Sequence, residues 1–308
     1  FSMTKMKIGI NGTGLVQKAS IEAITAHAQQ AHDDGFANYW LAEHPTGGLD
    51  AMMVLALVGM QVPDIELGTA IVPTFPRHPM VLAGQAQTAI TAIGERFTLG
   101  IGLSHASMMA ELGIAFDRPI RHLREYLSIL MPLVNKGRVA FQGELLSCEA
   151  QTFLTPGAPC PVVVAALGPQ ALKVAGELAD GTTLAWVGPR TIAEHIKPRI
   201  EAAANAVGRP TPRIIATLPV CVTDDEDRVR GLVQKNLAMY AELPSYKAMF
   251  EREGVAGPGE LALIGSAVKV ADAMGAMAEA GVTDFAASEF TTNAEERSQT
   301  RSVLMQWA

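Results

Sequence analysis

A glycine followed by a proline, Gly168 and Pro169, is the part of this sequence best suited to binding an anion. Residues 162–167 before it are an unbroken apolar run, typical of a strand buried in a parallel sheet. Pro169 is favoured at the first position of a helix, and the residues after it repeat apolar side chains at helical spacing. The N–H groups that begin such a helix lack helical partners, so they favour a phosphate. An ordinary strand-to-helix turn has the same sequence, and both interpretations stay open here.

Strand and helix patterns alternate along the whole chain. Strands are predicted at Lys7–Asn11, 39–43, 65–72, 97–103, 162–167, 182–187, 213–222 and 284–290. Helices are predicted after Ser20, at 50–62, 79–93, 169–180, 189–207, 225–241 and 267–280, and at the C terminus. Such alternation produces a parallel sheet, either doubly wound or closed. Eight strands favour an α/β fold consisting of one (β/α)8 TIM barrel over residues 1–308.

Two segments interrupt this alternation. Residues 104–161 are interpreted as an insertion after the fourth strand, with a probable hairpin around 139–146. This insertion contains an amphipathic helix whose apolar side is formed by Leu123, Tyr126, Leu127, Leu130 and Val134. A second irregular stretch, 242–266, precedes the eighth strand.

A barrel of this type places its functional site where the strands end at their carboxyl side. The polar, small or strained candidates therefore stand at the ends of the predicted strands. They are Asn11, Glu43, His44, Ala70, Ile71, Leu103, Ser104, His105, Leu167, Gly168, Trp186 and Glu289.

Composition points to small-molecule chemistry. The 308 residues are 49% hydrophobic and 18% charged, with a formal net charge of -7. No cluster of basic and aromatic residues suggests nucleic-acid binding, and no apolar run is long enough to span a membrane. Three scattered cysteines favour a reducing, cytoplasmic location, and Phe1 and Ser2 are interpreted as an expression scar.

With these residues aligned, the chain resembles the bacterial luciferase-like family, particularly its branch that uses the deazaflavin coenzyme F420. Four segments carry the resemblance: YWLAEHP, LGTAIVPTFPRHP, RFTLGIGLSH and AALGPQALKVAGELADG. The resemblance implies a flavin or deazaflavin ring across the barrel mouth, with its phosphate near Gly168. It also implies a non-proline cis peptide between Ala70 and Ile71, forming a bulge behind the ring. The cofactor contacts implied are Asn11, His44, Ala70, Ile71, Pro73, Gly102, Leu103, Ser104, His105, Ala166, Leu167, Gly168 and Pro169.

Two histidines are the catalytic candidates. The resemblance places His44 beside the ring, where an imidazole can exchange a proton with substrate. His105 stands where an F420-dependent dehydrogenase of the family has a catalytic glutamate, so its role is either proton transfer or ring contact. The tryptophan that those dehydrogenases place over their substrate is replaced here by Thr46, Gly47 and Gly48, which disfavours a sugar phosphate. For either histidine, a purely structural role is the alternative.

Other polar residues have weaker support. Glu289 is interpreted as one side of a salt bridge at the rim, and Trp186 as packing or a substrate wall. Arg77 and His78 are candidates for the anionic tail of the coenzyme or are simply solvated loop residues. Met108 and Met109 are expected in packing. No metal site is expected, because His27 and His32 are five residues apart on a helix and point to different faces.

These observations favour an oxidoreductase that transfers hydride between coenzyme F420 and a small organic substrate. The alternative within the family is an FMN-dependent monooxygenase. The alternative of another class is a flavin or deazaflavin carrier without turnover. We expect a homodimer that has no nucleic-acid or membrane partner.

Overall fold

The computed structural model describes residues 6–16, 20–153 and 156–308, so Phe1 and Ser2 lie outside the described residues. Eight parallel strands pair in a closed ring, which confirms the predicted (β/α)8 barrel. In chain order, β1 to β8 are Lys7–Asn11, Asn38–Leu41, Glu66–Thr69, Phe97–Gly102, Val162–Val164, Gly181–Ala185, Arg213–Thr217 and Asp284–Glu289. Pairing of β8 with β1 closes the ring.

Helices surround this ring. The long ones are Ile21–Asp33, Ala51–Gly59, Pro79–Ile93, Pro119–Lys136, Pro169–Leu178, Lys197–Ala206, Glu226–Asn236, Ala267–Glu279 and Ala294–Met305. A further helix, Pro244–Glu253, precedes the last strand of the ring, and the short helical segments are Thr13–Val16, Gly94–Arg96, Ala106–Glu111, Pro189–Thr191, Ile192–Ile196, Met239–Glu242 and Pro258–Leu261. Ser20 and Asp50 begin two of the long helices as side-chain caps that accept hydrogen bonds from the first turn.

The third predicted strand, 65–72, is interrupted in the structure. Gly68 lies opposite Thr98, and Val72 in the short strand Val72–Pro73 lies opposite Ile101. Four steps on one strand therefore match three on the other, which is a β-bulge with one extra residue. The Thr69 hydroxyl bridges the gap, since it donates to the Gly100 carbonyl and accepts from the Gly100 N–H, both at 2.8 Å.

The insertion predicted at 104–161 is smaller than expected. Its helix Pro119–Lys136 packs against Pro79–Ile93 and Pro169–Leu178, so it is the fourth helix of the ring. The predicted apolar side of this helix is buried. The added pieces are the connection at 103–118 and an antiparallel hairpin of Arg138–Gln142 with Ser147–Gln151.

The interpretation of 242–266 as irregular is wrong. This stretch contains the helices Pro244–Glu253 and Pro258–Leu261 and the strand Leu263–Gly265. The single strand predicted at 213–222 is divided at Leu218, because its second half, Pro219–Val222, pairs with Leu263–Gly265 as well as with β8. The helix predicted at 267–280 is present as Ala267–Glu279, and it buries Val270, Met274 and Met277.

The amino end of the barrel is closed by a polar network. Arg213 donates to Glu66 Oε1 at 2.8 Å and to Asp284 Oδ1 at 2.7 Å. Two further side chains join the network: the Thr98 hydroxyl donates to Glu66 Oε1 at 2.6 Å, and Asn38 Nδ2 donates to Asp284 Oδ1 at 3.2 Å. These residues stand at the first or second positions of their strands, opposite to the expected site.

Candidate functional site

A cis peptide joins Ala70 and Ile71 at the β-bulge, as the resemblance implied. The bulge is held to the second strand, because the Ala70 N–H donates to the Leu41 carbonyl and the Glu43 N–H donates to the Ile71 carbonyl. A Cβ atom at residue 102 would lie 3.0 Å from Ile71 Cδ1, so Gly102 leaves the space that the isoleucine side chain needs. Ala70 and Ile71 are half-buried at the carboxyl ends of the strands.

The Gly168 corner is open. Gly168 is exposed and caps the helix Pro169–Leu178 without a side-chain hydrogen bond. A Cβ atom at this position would meet nothing within 4 Å. In the part of the chain that the structure describes, the N–H groups of Gly168 and Gln170 have no acceptor. A helix end with free N–H groups facing open space is suited to a phosphate.

His44 follows the second strand, and its half-buried imidazole makes no hydrogen bond with any described residue. Its neighbour Glu43 is engaged elsewhere, in a two-point ion pair with Arg77 at 2.6 and 3.0 Å. Arg77 also donates to Asp50 Oδ2 at 2.8 Å. Arg77 is therefore committed to an ion pair and is not a free cation for a coenzyme tail. His78, the companion candidate, caps the helix Pro79–Ile93 by accepting from the Met80 N–H at 3.2 Å.

His105 lies beside aromatic residues that sequence reasoning missed. Its ring centroid is 5.5 Å from that of Tyr246, which is 5.8 Å from that of Tyr240, and Tyr240 lies 5.1 Å from Trp186. These rings connect the end of β4 to the end of β6 across the barrel mouth. Burial lowers the pKa of the His105 imidazole, so it is neutral at pH 7. Pro244 at the first helical position was the sequence signal that could have revealed the helix carrying Tyr246.

Two strand ends have left-handed backbone in non-glycine residues. Ser104 has φ 61° and Trp186 has φ 62°. Such conformations are unfavourable for most residues and are concentrated at functional sites. Ser104 donates weakly to Met108 Sδ at 3.6 Å, and Trp186, which is buried, also packs on Phe250.

The remaining candidates have mainly structural contacts. Asn11 accepts from the Thr13 N–H at 3.0 Å and reaches Thr217 across the mouth at 3.4 Å. Glu289 forms the rim salt bridge expected for it, with Arg301 at 2.7 Å, and the ion pair outweighs burial and lowers its pKa to about 2. Met109 is buried, as expected for packing. Of the cofactor contacts implied, Ala166 is buried and Leu103 and Leu167 are half-buried at the same face.

One groove of the described structure lies away from this face. The groove between the helix Pro119–Lys136 and the hairpin has a volume of about 650 Å³ and is lined by residues such as Pro132, Arg138 and Glu149. It lies outside the ring, away from the strand ends. The described residues contain no group of three metal-ligating side chains, and none of their helices is both long and apolar enough to cross a membrane.

A parallel barrel with a bulged third strand, an open helix end at Gly168 and two imidazoles without partners among the described residues is an α/β TIM barrel with a candidate site at its carboxyl end. The chain belongs to the luciferase-like monooxygenase family, which it matches over residues 6–284.

Relatives within this class use different coenzymes. An F420-dependent glucose-6-phosphate dehydrogenase of Kineococcus radiotolerans is 29% identical over 229 residues, covering 70% of this chain and 67% of the relative. The F420-dependent tetrahydromethanopterin reductase of Methanopyrus kandleri has the same fold, with a TM-score of 0.81 and 21% identity over 100% and 99% of the two chains. So does an FMN-bound Baeyer–Villiger monooxygenase component of Pseudomonas putida, with a TM-score of 0.77 and 16% identity over 98% and 97%.

Proposed function

We propose that the protein is an oxidoreductase that binds coenzyme F420 at the barrel mouth and transfers hydride between the coenzyme and a small organic substrate. The observation that carries the proposal is the Gly168 corner, an exposed helix end whose N–H groups lack acceptors among the described residues. The residues present fit a coenzyme with a phosphate, since the helix end at Gly168 faces open space and its N–H groups have no acceptor among the described residues. F420-dependent relatives support the deazaflavin over other cofactors.

In this proposal the coenzyme supplies the hydride chemistry, and the chain supplies binding, orientation and proton handling. His44 and His105 are the candidates for exchanging a proton with substrate, because both imidazoles are half-buried and free of hydrogen bonds to described residues. The bulge at Ala70 and Ile71 would support one face of the ring. Tyr240, Tyr246 and Trp186 would form an aromatic wall on the substrate side.

The second candidate is an FMN-dependent monooxygenase, favoured by the shared fold of the FMN-bound neighbour. Titration of the apoprotein with F420 and with FMN, followed by fluorescence, separates the two. We expect F420 to bind at lower concentration. Tight binding of FMN with none of F420 would reverse the ranking, and binding of either without turnover would favour the carrier.

We also propose that the protein forms a homodimer through the neighbouring helices Ala51–Gly59 and Pro79–Ile93. Neither helix contains a charged residue, and they expose Met53, Leu57 and Val81, with Met60 immediately following the first helix. An uncharged apolar face of this kind is suited to pairing with its own copy around a twofold axis. Leu57→Glu should shift the mass measured by light scattering from dimer to monomer, and an unchanged mass would refute this interface.

A further inference from the structure

A buried histidine, His195, contacts the backbone of the residue immediately before Gly168. His195 is 3% exposed, and its Nε2 lies 2.7 Å from the Leu167 carbonyl oxygen. A carbonyl oxygen can only accept, so Nε2 carries the proton and donates it. His195 belongs to the π-helical turn Ile192–Ile196, a local widening that is rare and frequent at functional sites.

This hydrogen bond fixes the direction of the next N–H group. Leu167 and Gly168 are joined by a trans peptide, in which the carbonyl and the N–H point in opposite directions. Because His195 binds the Leu167 carbonyl, the Gly168 N–H must point away from His195. That N–H has no acceptor in the described ranges, and Gly168 is on the exposed side of the corner.

The other ring nitrogen shows that this arrangement has a cost. His195 Nδ1 is buried and has no hydrogen-bond partner in the described part of the chain. An unsatisfied buried nitrogen destabilises the fold, so a residue that keeps one calls for an explanation. Burial and the nearby cations Arg252 and Arg199 lower the pKa of His195, which keeps the ring neutral with a single proton for Leu167.

We infer that His195 is a positioning residue for the phosphate of the coenzyme: by binding the Leu167 carbonyl, it turns the Gly168 N–H toward the anion. This inference rests on the proposed function, since it assigns a role within the same binding corner. Positioning the N–H group before binding increases affinity, because the ligand does not have to order the loop.

The test compares three variants that differ in the donor they offer to Leu167. The side-chain amide of His195→Gln reaches about as far as Nε2, that of His195→Asn is too short, and His195→Phe keeps a ring without a donor. Each is titrated with F420 and with the deazaflavin nucleoside that lacks the phosphate, and binding is followed by fluorescence. Thermal unfolding of each variant checks that it is folded.

The Asn and Phe variants should bind F420 roughly three- to tenfold more weakly, as expected for one lost hydrogen bond, while binding of the nucleoside stays unchanged. The Gln variant should restore most of the affinity. If Phe fails to fold, the comparison of Gln with Asn gives the same test. Wild-type affinity in the Asn variant, or an equal loss for both ligands, would overturn the inference. Failure of the wild-type protein to bind F420 would instead refute the proposed function, and the inference with it.

Discussion

The two ends of the barrel differ in how completely their polar groups are paired. At the amino end, Arg213, Glu66 and Asp284 are joined by ion pairs and hydrogen bonds between 2.7 and 3.3 Å. At the carboxyl end, the imidazoles of His44 and His105 have no hydrogen bond to any residue that the structure describes. These two imidazoles are half-buried and unpaired, and we expect a ligand bound at this end to supply their partners. The amino end stabilises the fold and the carboxyl end is available for chemistry.

Removing the guanidinium of Arg213 from the amino-end network should have the largest effect on stability. Arg213→Ala leaves Asp284, which is 2% exposed, without its ion pair, and the free energy of unfolding should fall by about 3–5 kcal/mol. Chemical denaturation measures this change. As a control, Arg190→Ala breaks an exposed pair with Glu194 and should cost no more than about 0.5 kcal/mol. Equal costs for the two variants would mean that the amino-end network adds nothing to stability.

At the carboxyl end of the barrel, substitutions should reduce activity more than stability. His44→Ala or His105→Ala should reduce hydride transfer about 100-fold, as for the loss of an acid–base group, with little change in unfolding temperature. His78→Ala is the matched control, because it removes a helix cap: it should lower stability by about 1 kcal/mol and preserve turnover. Unchanged turnover in both mouth variants would exclude proton handling by these histidines.

The elements of the fold could be predicted from sequence where they depend on local patterns. The helix Pro79–Ile93 has its predicted bounds, since a proline begins it and a glycine follows it. Residues whose role depends on distant partners could not be assigned. Arg77 pairs with Glu43, 34 residues away, and His195 binds a carbonyl 28 residues away. Tyr246 was missed because the proline and glycine content of its segment suggested irregular structure, although Pro244 begins a helix there.

A third histidine, His122, differs from His44 and His105 because its ring has partners within the protein. His122 stacks on Phe75 at 3.9 Å and bonds to Thr74 at 3.1 Å; burial lowers its pKa to about 4, against the opposing effect of Glu125. The unfolded chain binds a proton near pH 6.5, whereas the folded chain does not until about pH 4. Stability from this group is therefore complete above pH 6.5 and is lost as the pH falls toward 4.

Urea unfolding at pH 7 and pH 4.5 tests whether His122 makes the protein less stable at the lower pH. The loss of stability between the two should be smaller in His122→Phe than in wild type, by about 1–3 kcal/mol. The ring of phenylalanine can keep the stack on Phe75, so the comparison isolates titration of the imidazole. An identical loss in both proteins would show that His122 is protonated equally in the folded and unfolded states.

The smallest effects are expected from removing the hydroxyl of Tyr246 or of Tyr126. Neither hydroxyl has a hydrogen-bond partner among the described residues. Tyr246 lies beside His105. Tyr126 belongs to the helix Pro119–Lys136, and its hydroxyl is buried. We expect the hydroxyl of Tyr246 to donate a hydrogen bond to substrate, so Tyr246→Phe should raise the KM roughly three- to tenfold with unfolding unchanged. Tyr126→Phe should leave KM unchanged and raise stability by about 1 kcal/mol, since it removes an unsatisfied buried hydroxyl. If both variants changed only stability, the hydroxyl of Tyr246 would belong to the packing of the barrel and not to its site.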